Sequence, residues 1–243
     1  MTGSAARRKT VVSWSSGKDS AHTLYRLRNS PDHEVVGLLT TVTEPFDRVS
    51  MHGVRVELLR AQARAAGLPL HVVSIPYPCP NAEYEARMGE AVGRLHAAGV
   101  TQVAFGDLFL EDVRNYRMAR LAGTGVSPIF PLWGEDTRAL GKEMIDSGLR
   151  ARLVCLDPVK MDRAFAGREF DRRFLEELPA SVDPCGERGE FHTFVTDSPA
   201  FARPVTVSLG AVVERDGFVF QDLMPAEPPV GGPTPGLREL RRD

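Results

Sequence analysis

The chain has 243 residues, enough for one large α/β domain or for such a domain with a small appendage sharing its core. Hydrophobic residues make up 42% and the formal net charge is -2, which excludes a global basic field that would draw the protein to nucleic acid or an anionic membrane. Arg7, Arg8 and Lys9 precede only Val11 and Val12 before Ser13, too short an apolar run for a signal peptide, and no stretch approaches membrane-spanning length. A cytoplasmic protein with no membrane partner is the expectation.

Thr10 to Trp14 reads as a short buried strand, followed by a Ser/Gly loop and a helix from Asp19 to about Arg28 with Ala21, Leu24 and Leu27 at three-residue spacing. Val35 to Val42 is a β-branched and Leu-rich run, as for a strand covered on both faces, and Gly53 to Ala66 sets Val54, Leu58, Ala61 and Ala65 on one helical face that Gly67 stops. The alternation repeats with Leu70 to Ile75 as strand, Asn81 to Ala98 as helix with Asn81 as N-cap and Gly99 beyond it, and Thr101 to Phe105 as strand. A charged segment from Asp112 to Leu121, a short stretch from Ser127 to Pro131, a helix from Thr137 to Ser147 and a strand from Arg152 to Leu156 complete the count. Five strands alternating with long helices predict a mostly parallel five-stranded sheet with flanking helices.

From Asp157 the pattern changes. Phe165 to Leu178 reads as helical, and Gly189 to Val195, Val205 to Val213 and Gly217 to Leu223 read as strands. The division expected is an N-terminal arm at 1–9, a nucleotide-binding domain at 10–157, a small C-terminal α+β appendage at 158–224 that binds substrate, and a disordered tail at 225–243, whose Pro and Gly content cannot bury a core. Cys79, Cys155 and Cys185 lie far apart with no C-x-x-C pair, which argues against a disulfide framework and a four-ligand zinc site.

The segment that carries chemistry is Val11 to Leu24, where a buried strand ends in Ser15-Ser16-Gly17-Lys18-Asp19-Ser20 and runs directly into a helix. Beyond the strand C-termini of an open parallel sheet, a helix N-terminus offers free N–H groups and a positive dipole end, and phosphate is the natural guest. Gly17 lets the backbone approach an anion, Ser15 and Ser20 supply hydroxyls, and Lys18 adds a mobile positive charge. Asp19 beside phosphates makes sense as a holder of Mg2+.

These six residues resemble the PP-loop, S-G-G-x-D-S, of the ATP pyrophosphatases, with Ser16 in place of the first glycine. The replacement implies a φ at Ser16 that a non-glycine residue tolerates. Together with FGDL at Phe105 to Leu108, NYR at Asn115 to Arg117, PLW at Pro131 to Trp133 and CGERGEFHTFV at Cys185 to Val195, the chain resembles the diphthine ammonia ligase family over residues 10 to 215. The resemblance implies a HUP, Rossmann-like fold and an ATP-dependent amidation: a carboxylate attacks the α-phosphate, pyrophosphate leaves, and ammonia displaces AMP from the acyl-adenylate. ATP and Mg2+ are the cofactors implied, and ammonia and an acceptor, a small molecule or a protein side chain, are the partners. A homodimer is the expected state.

Gly186 and Gly189 allow a tight turn that brings Glu187 and Glu190 together, where the acids take a proton from ammonium or hold the acceptor. His192 follows Glu190 at alternate spacing, on the same side of a strand, as a substrate contact or a hydrogen-bonded structural histidine. Asp107 at a strand end either lines the site or caps the next helix. Arg117, preferred over Arg114, Asn115 and Tyr116, presents a guanidinium to carboxylate or phosphate, while Trp133 packs at a junction. The catalytic set is therefore Lys18, Asp19, Glu187 and Glu190, and the substrate contacts are Asp107, Arg117, Glu187, Glu190 and His192.

Two other classes compete. A PP-loop enzyme that thiolates tRNA calls for a cysteine pair or an iron-sulfur site and a basic surface, which scattered cysteines and a net charge of -2 do not supply. A non-catalytic nucleotide-binding module of the universal stress protein kind has no need of Lys18 beside Asp19 or of the C-terminal carboxylates.

Overall fold

A computed structural model describes residues 6–44, 48–49 and 53–226. The first half alternates strand and helix: β1 (Arg8–Ser13), α1 (Lys18–Arg28), β2 (His33–Thr43), β3 (Arg48–Val49), α2 (Val56–Ala66), β4 (Leu70–Ile75), α3 (Asn81–Ala97), β5 (Gln102–Ala104), α4 (Glu111–Leu121) and β6 (Ser127–Ile129). Five of these strands run parallel in the order β4-β2-β1-β5-β6, and β3 adds an antiparallel pair at Val42 and Thr43 of β2. β1 is central and needs apolar residues on both faces. Val11 and Val12 are both fully buried, Val11 in the cluster with Leu95 of α3 and Val12 in the main core with Leu24 of α1 and Leu58 of α2.

The order reverses at β1. The chain moves from β1 outward through β2 to β4, then returns to the other side of β1 with β5 and β6. A crevice therefore opens beyond the C-terminal ends of β1 and β5, the place where open α/β sheets bind ligands. Gly106, just past β5, makes that crevice narrow, because a Cβ on it would lie 2.9 Å from the backbone carbon of Asp19.

The second half consists of α5 (Thr137–Asp146), β7 (Arg150–Leu156), a 3-10 turn at Arg163–Phe165, α6 (Arg172–Glu177), β8 (Phe191–Asp197), β9 (Val207–Arg215) and β10 (Phe218–Pro225). Its four strands form an antiparallel sheet in the order β8-β7-β10-β9. The strand expected at Arg152 to Leu156 is thus present, but as β7 at the centre of the second sheet. The fifth parallel strand is β6, three residues long, in the stretch that sequence reading left without an assignment. A run of apolar residues marks a buried strand without marking its sheet.

Other boundaries moved for local reasons. β1 begins at Arg8, inside the expected N-terminal arm, because the Arg8 N–H bonds the carbonyl of Asp32. The helix expected from Phe165 to Leu178 is broken: the N–H groups of Gly167 and Phe170 bond the carbonyls of Leu153 and Ala151 in β7, and the helix restarts only after Asp171, whose carboxylate caps the Phe174 N–H. Pro80, with an extended φ of -61° and ψ of 145°, precedes α3 in the cap position expected for Asn81. The expected tail at 225–243 lies outside the described residues except for Pro225, which ends β10, and Ala226. No helix among the described residues is long and apolar enough to cross a membrane.

Candidate active site

A cleft of about 220 Å³ lies over the ends of β1 and β5, lined by Ser13, Ser15, Gly17, Lys18, Asp19 and Ser20 from the first βα turn. Phe105, Gly106 and Asp107 come from the turn after β5 and Arg117 from α4, and Cys185, Gly186, Glu187, Phe191, His192 and Thr193 from the C-terminal half. The site is shared between the two sheets. Gly17, which lines the cleft, occupies the N-cap of α1 in extended conformation with no side chain capping the helix, a helix start of the kind that favours an anion. The Ser15 and Ser20 hydroxyls lie 3.3 Å apart, and Ser20 donates to the Gly17 carbonyl at 2.9 Å.

Ser16 does not line the cleft. It is fully buried, and its φ of 72° is left-handed, contrary to the expectation that a non-glycine residue marks an ordinary φ here. The loop keeps a glycine-like backbone, and the side chain carries a strain of roughly 1–2 kcal/mol. Three groups outside the motif hold it there. The Ser16 carbonyl accepts the Val195 N–H at 3.0 Å and the Gln62 amide at 3.0 Å, and Gln62 in turn accepts the Trp14 indole N–H at 3.0 Å. The Thr193 hydroxyl accepts the Lys18 N–H at 3.0 Å, so β8 is stitched to the loop at two points.

Lys18 is 2% exposed. Its ammonium bonds both carboxylate oxygens of Asp19, at 2.9 and 3.0 Å, and the Cys185 carbonyl, and lies 5.3 Å from the ring centroid of Phe191. Burial is the largest single influence and pulls its pKa down; the charge and hydrogen bond of Asp19, together with the other acidic groups around it, outweigh burial and leave the pKa above the ordinary lysine value. The cation is therefore kept charged in a dry site, next to the acid that the motif places beside it.

Glu187 lines the cleft and accepts the Leu108 N–H at 2.8 Å. Burial, opposed by that hydrogen bond and reinforced by the Asp19 charge, pushes its pKa up to about 7. A carboxyl poised near neutrality can hold or release a proton at the operating pH. Glu190 departs from expectation: it is 2% exposed, does not line the cleft, and accepts the Asp183 N–H at 3.1 Å. Asp183 in turn accepts the N–H groups of Cys185 and Glu187 and the Thr137 hydroxyl. The two acids thus have different tasks, Glu190 and Asp183 bracing the turn that presents Glu187. Sequence reasoning missed Asp183 because a lone acid upstream of the motif carries no pattern.

His192 lines the cleft, two residues on from Glu190 but not sharing its surroundings, since β8 begins only at Phe191. Burial and then the Lys18 charge lower its pKa to about 4, so the imidazole is neutral. Asp107 and Arg117 meet in a bidentate pair, at 2.5 and 3.0 Å, with the guanidinium 4.3 Å from the Phe105 ring centroid. Arg114 instead stacks on Trp133, 4.7 Å from its ring centroid, and neither lines the cleft; Asn115 and Tyr116 are exposed.

The fold is Rossmann-like, and the loop at its switch point makes it a mixed α/β protein of the PP-loop type. The chain belongs to the diphthamide synthase family: the family's N-terminal domain matches residues 8–124 and its C-terminal domain residues 136–219. It is 29% identical over 234 residues to a diphthine–ammonia ligase of Danio rerio, covering 85% of this chain and 89% of that protein. A diphthine–ammonia ligase of Homo sapiens is 31% identical over 117 residues, 46% of this chain and 44% of that protein. The match to the Schizosaccharomyces pombe ligase, 30% identical over 95 residues, spans 37% of this chain but 16% of that protein.

Proposed function

We propose that this chain is an ATP-dependent amide ligase that forms AMP and pyrophosphate. The observation that carries the reading is the meeting of Lys18, Asp19 and Glu187 over the switch point, a fixed cation, an acid beside the phosphate seat and a carboxyl with a pKa of about 7. An acceptor carboxylate oxygen attacks the α-phosphorus, the bond to the bridging oxygen breaks, and pyrophosphate leaves with that electron pair. Ammonia then attacks the acyl carbon, the bond to AMP breaks, and the proton shed by the nitrogen passes to the Glu187 carboxylate. Gly17 and the first turn of α1 hold the phosphates, and Lys18 offsets the charge that develops on them.

Mg2+ fits this seat by donor chemistry. Asp19 and the serines that line the cleft offer oxygen only, the donors that suit a hard divalent ion held through one carboxylate and the substrate phosphates. When bound, Mg2+ supplies charge neutralisation on the pyrophosphate. The acceptor contacts are assigned to His192, neutral, and the Asp107–Arg117 pair, because they line the same cleft as the loop.

The cysteines weigh against sulfur transfer. Burial pushes the Cys155 thiol up to about 12 and the Cys185 thiol well above the usual range, so neither supplies a thiolate, and Cys79 does not line the cleft. The reading includes a cytoplasmic, homodimeric protein, the second being checked by light scattering.

The test is incubation with Mg2+, ATP labelled at the α-phosphate, ammonium and a nucleotide-free cell extract. Label recovered in AMP, dependent on the extract, supports α-phosphate chemistry. Label in ADP, or ATP bound and never cleaved, overturns it.

A further inference from the structure

Gln62 lies outside every motif, in the middle of α2, and is fully buried. A buried primary amide is costly unless its donors and acceptor are matched, and this one is matched by three groups distant in sequence. Its nitrogen donates to the Ser16 carbonyl at 3.0 Å and to the Val195 carbonyl at 2.7 Å, and its oxygen accepts the Trp14 indole N–H at 3.0 Å. One side chain therefore grips the loop on both sides of Ser15 and ties it to β8.

The grip falls where the backbone is strained. Ser16 holds a φ of 72°, and its hydroxyl is buried with no hydrogen-bond partner, so its side chain gives nothing back for the conformation. What holds the conformation is the carbonyl, fixed by Gln62 and by the Val195 N–H. A trans peptide is planar with its C=O and N–H pointing oppositely. Drawing the Ser16 carbonyl inward to Gln62 and Val195 therefore turns the Gly17 N–H outward, toward the Ser15 hydroxyl 3.4 Å away and the cleft that Ser15 and Gly17 line.

We infer that Gln62 is a positioning residue for the phosphate seat: by pinning the Ser16 carbonyl it keeps Ser16 left-handed and aims the Gly17 amide at the bound nucleotide. The inference rests on the cleft being a nucleotide site, as proposed above. It assigns to Ser16 a backbone role, and to α2, none of whose residues lines the cleft, a part in anion binding.

The test uses Gln62→Met, which keeps length and removes the amide, alone and combined with Ser16→Gly. Glycine adopts a left-handed φ without strain, so the second change removes the need for the clamp while restoring none of its hydrogen bonds. In titrations with Mg·ATP, Gln62→Met is expected to bind about ten- to a hundredfold more weakly, the worth of one hydrogen bond to a charged group. The double variant recovers most of that affinity, while its thermal stability stays below wild type because Trp14 and Val195 remain unpaired. Affinity that follows stability in both variants, or that Gln62→Met leaves unchanged, overturns the inference.

A second readout needs no nucleotide. The Gly17 amide resonance is expected to shift in Gln62→Met and to return in the double variant. A wild-type protein that does not bind Mg·ATP removes the proposed function. Even then, a Gly17 resonance that shifts and returns upholds the positioning role, and one that never moves refutes it.

Discussion

The hydroxyl of Thr193 accepts the backbone N–H of Lys18 at 3.0 Å, joining β8 of the second sheet to the first residue of α1. Four N–H groups at a helix start lack intrahelical partners, and this one is satisfied from 175 residues away. Thr193→Val keeps the shape and leaves the buried N–H unpaired, an expected loss of about 1–3 kcal/mol in urea unfolding. Thr193→Ser keeps the hydroxyl and should lose clearly less. Equal losses in the two variants would show that packing, and not the hydrogen bond, is what matters.

Glu187 makes stability and activity depend on pH in opposite directions. Its folded pKa of about 7 lies above the ordinary 4.5, so folding favours the protonated acid: its contribution is fully present below pH 4.5 and is lost as pH rises through 7. Glu187→Gln cannot lose it, and should be more stable than wild type above pH 8 by about 3 kcal/mol, with the gap closing by pH 4.5. Wild-type amide formation, which uses the carboxylate, should climb through pH 7. The variant should bind Mg·ATP and form little product at any pH; a variant with the wild-type pH profile would remove Glu187 from proton transfer.

The parts of this site that were legible in the sequence are those set by local chemistry. Ser15 to Ser20 follows a strand and opens a helix, and the turn at Gly186 and Gly189 presents Glu187, both glycines having positive φ. What escaped is what only long-range packing creates. Gln62 sits in an amphipathic helix where glutamine usually marks a solvated position, yet is fully buried. Glu190 shares motif and spacing with Glu187, but its environment is decided by Asp183. β7 satisfied the pattern of a parallel strand because burial on both faces looks alike in either sheet.

The Asp107–Arg117 pair sets a geometry that lysine cannot copy. Arg117 uses two nitrogens on two carboxylate oxygens and sits over the Phe105 ring, 4.3 Å from its centroid, whereas an ammonium makes a point contact. With Arg117 contacting the acceptor as proposed, Arg117→Lys should keep Mg·ATP binding and lower extract-dependent AMP formation about tenfold. A fall in Mg·ATP affinity of the same size would move Arg117 from the acceptor to the phosphates.

Asp19 neutralises Lys18 in the free protein and is the one carboxylate of the loop available to a divalent ion. On the proposed reading, phosphates would attract the ammonium away from Asp19, and the freed carboxylate would be the residue that holds Mg2+. Asp19→Asn removes the anion from both. Burial, the largest influence on Lys18, then acts with its main opposing charge gone, so the lysine pKa should fall and the ammonium should lose its proton at lower pH than in wild type. Nitrogen-15 detection of the Lys18 side chain measures this directly. ATP cleavage should be abolished at any Mg2+ concentration while the circular dichroism spectrum is retained. Cleavage restored by millimolar Mg2+ would leave Asp19 as the counter-ion of Lys18 and assign the metal to another oxygen of the cleft.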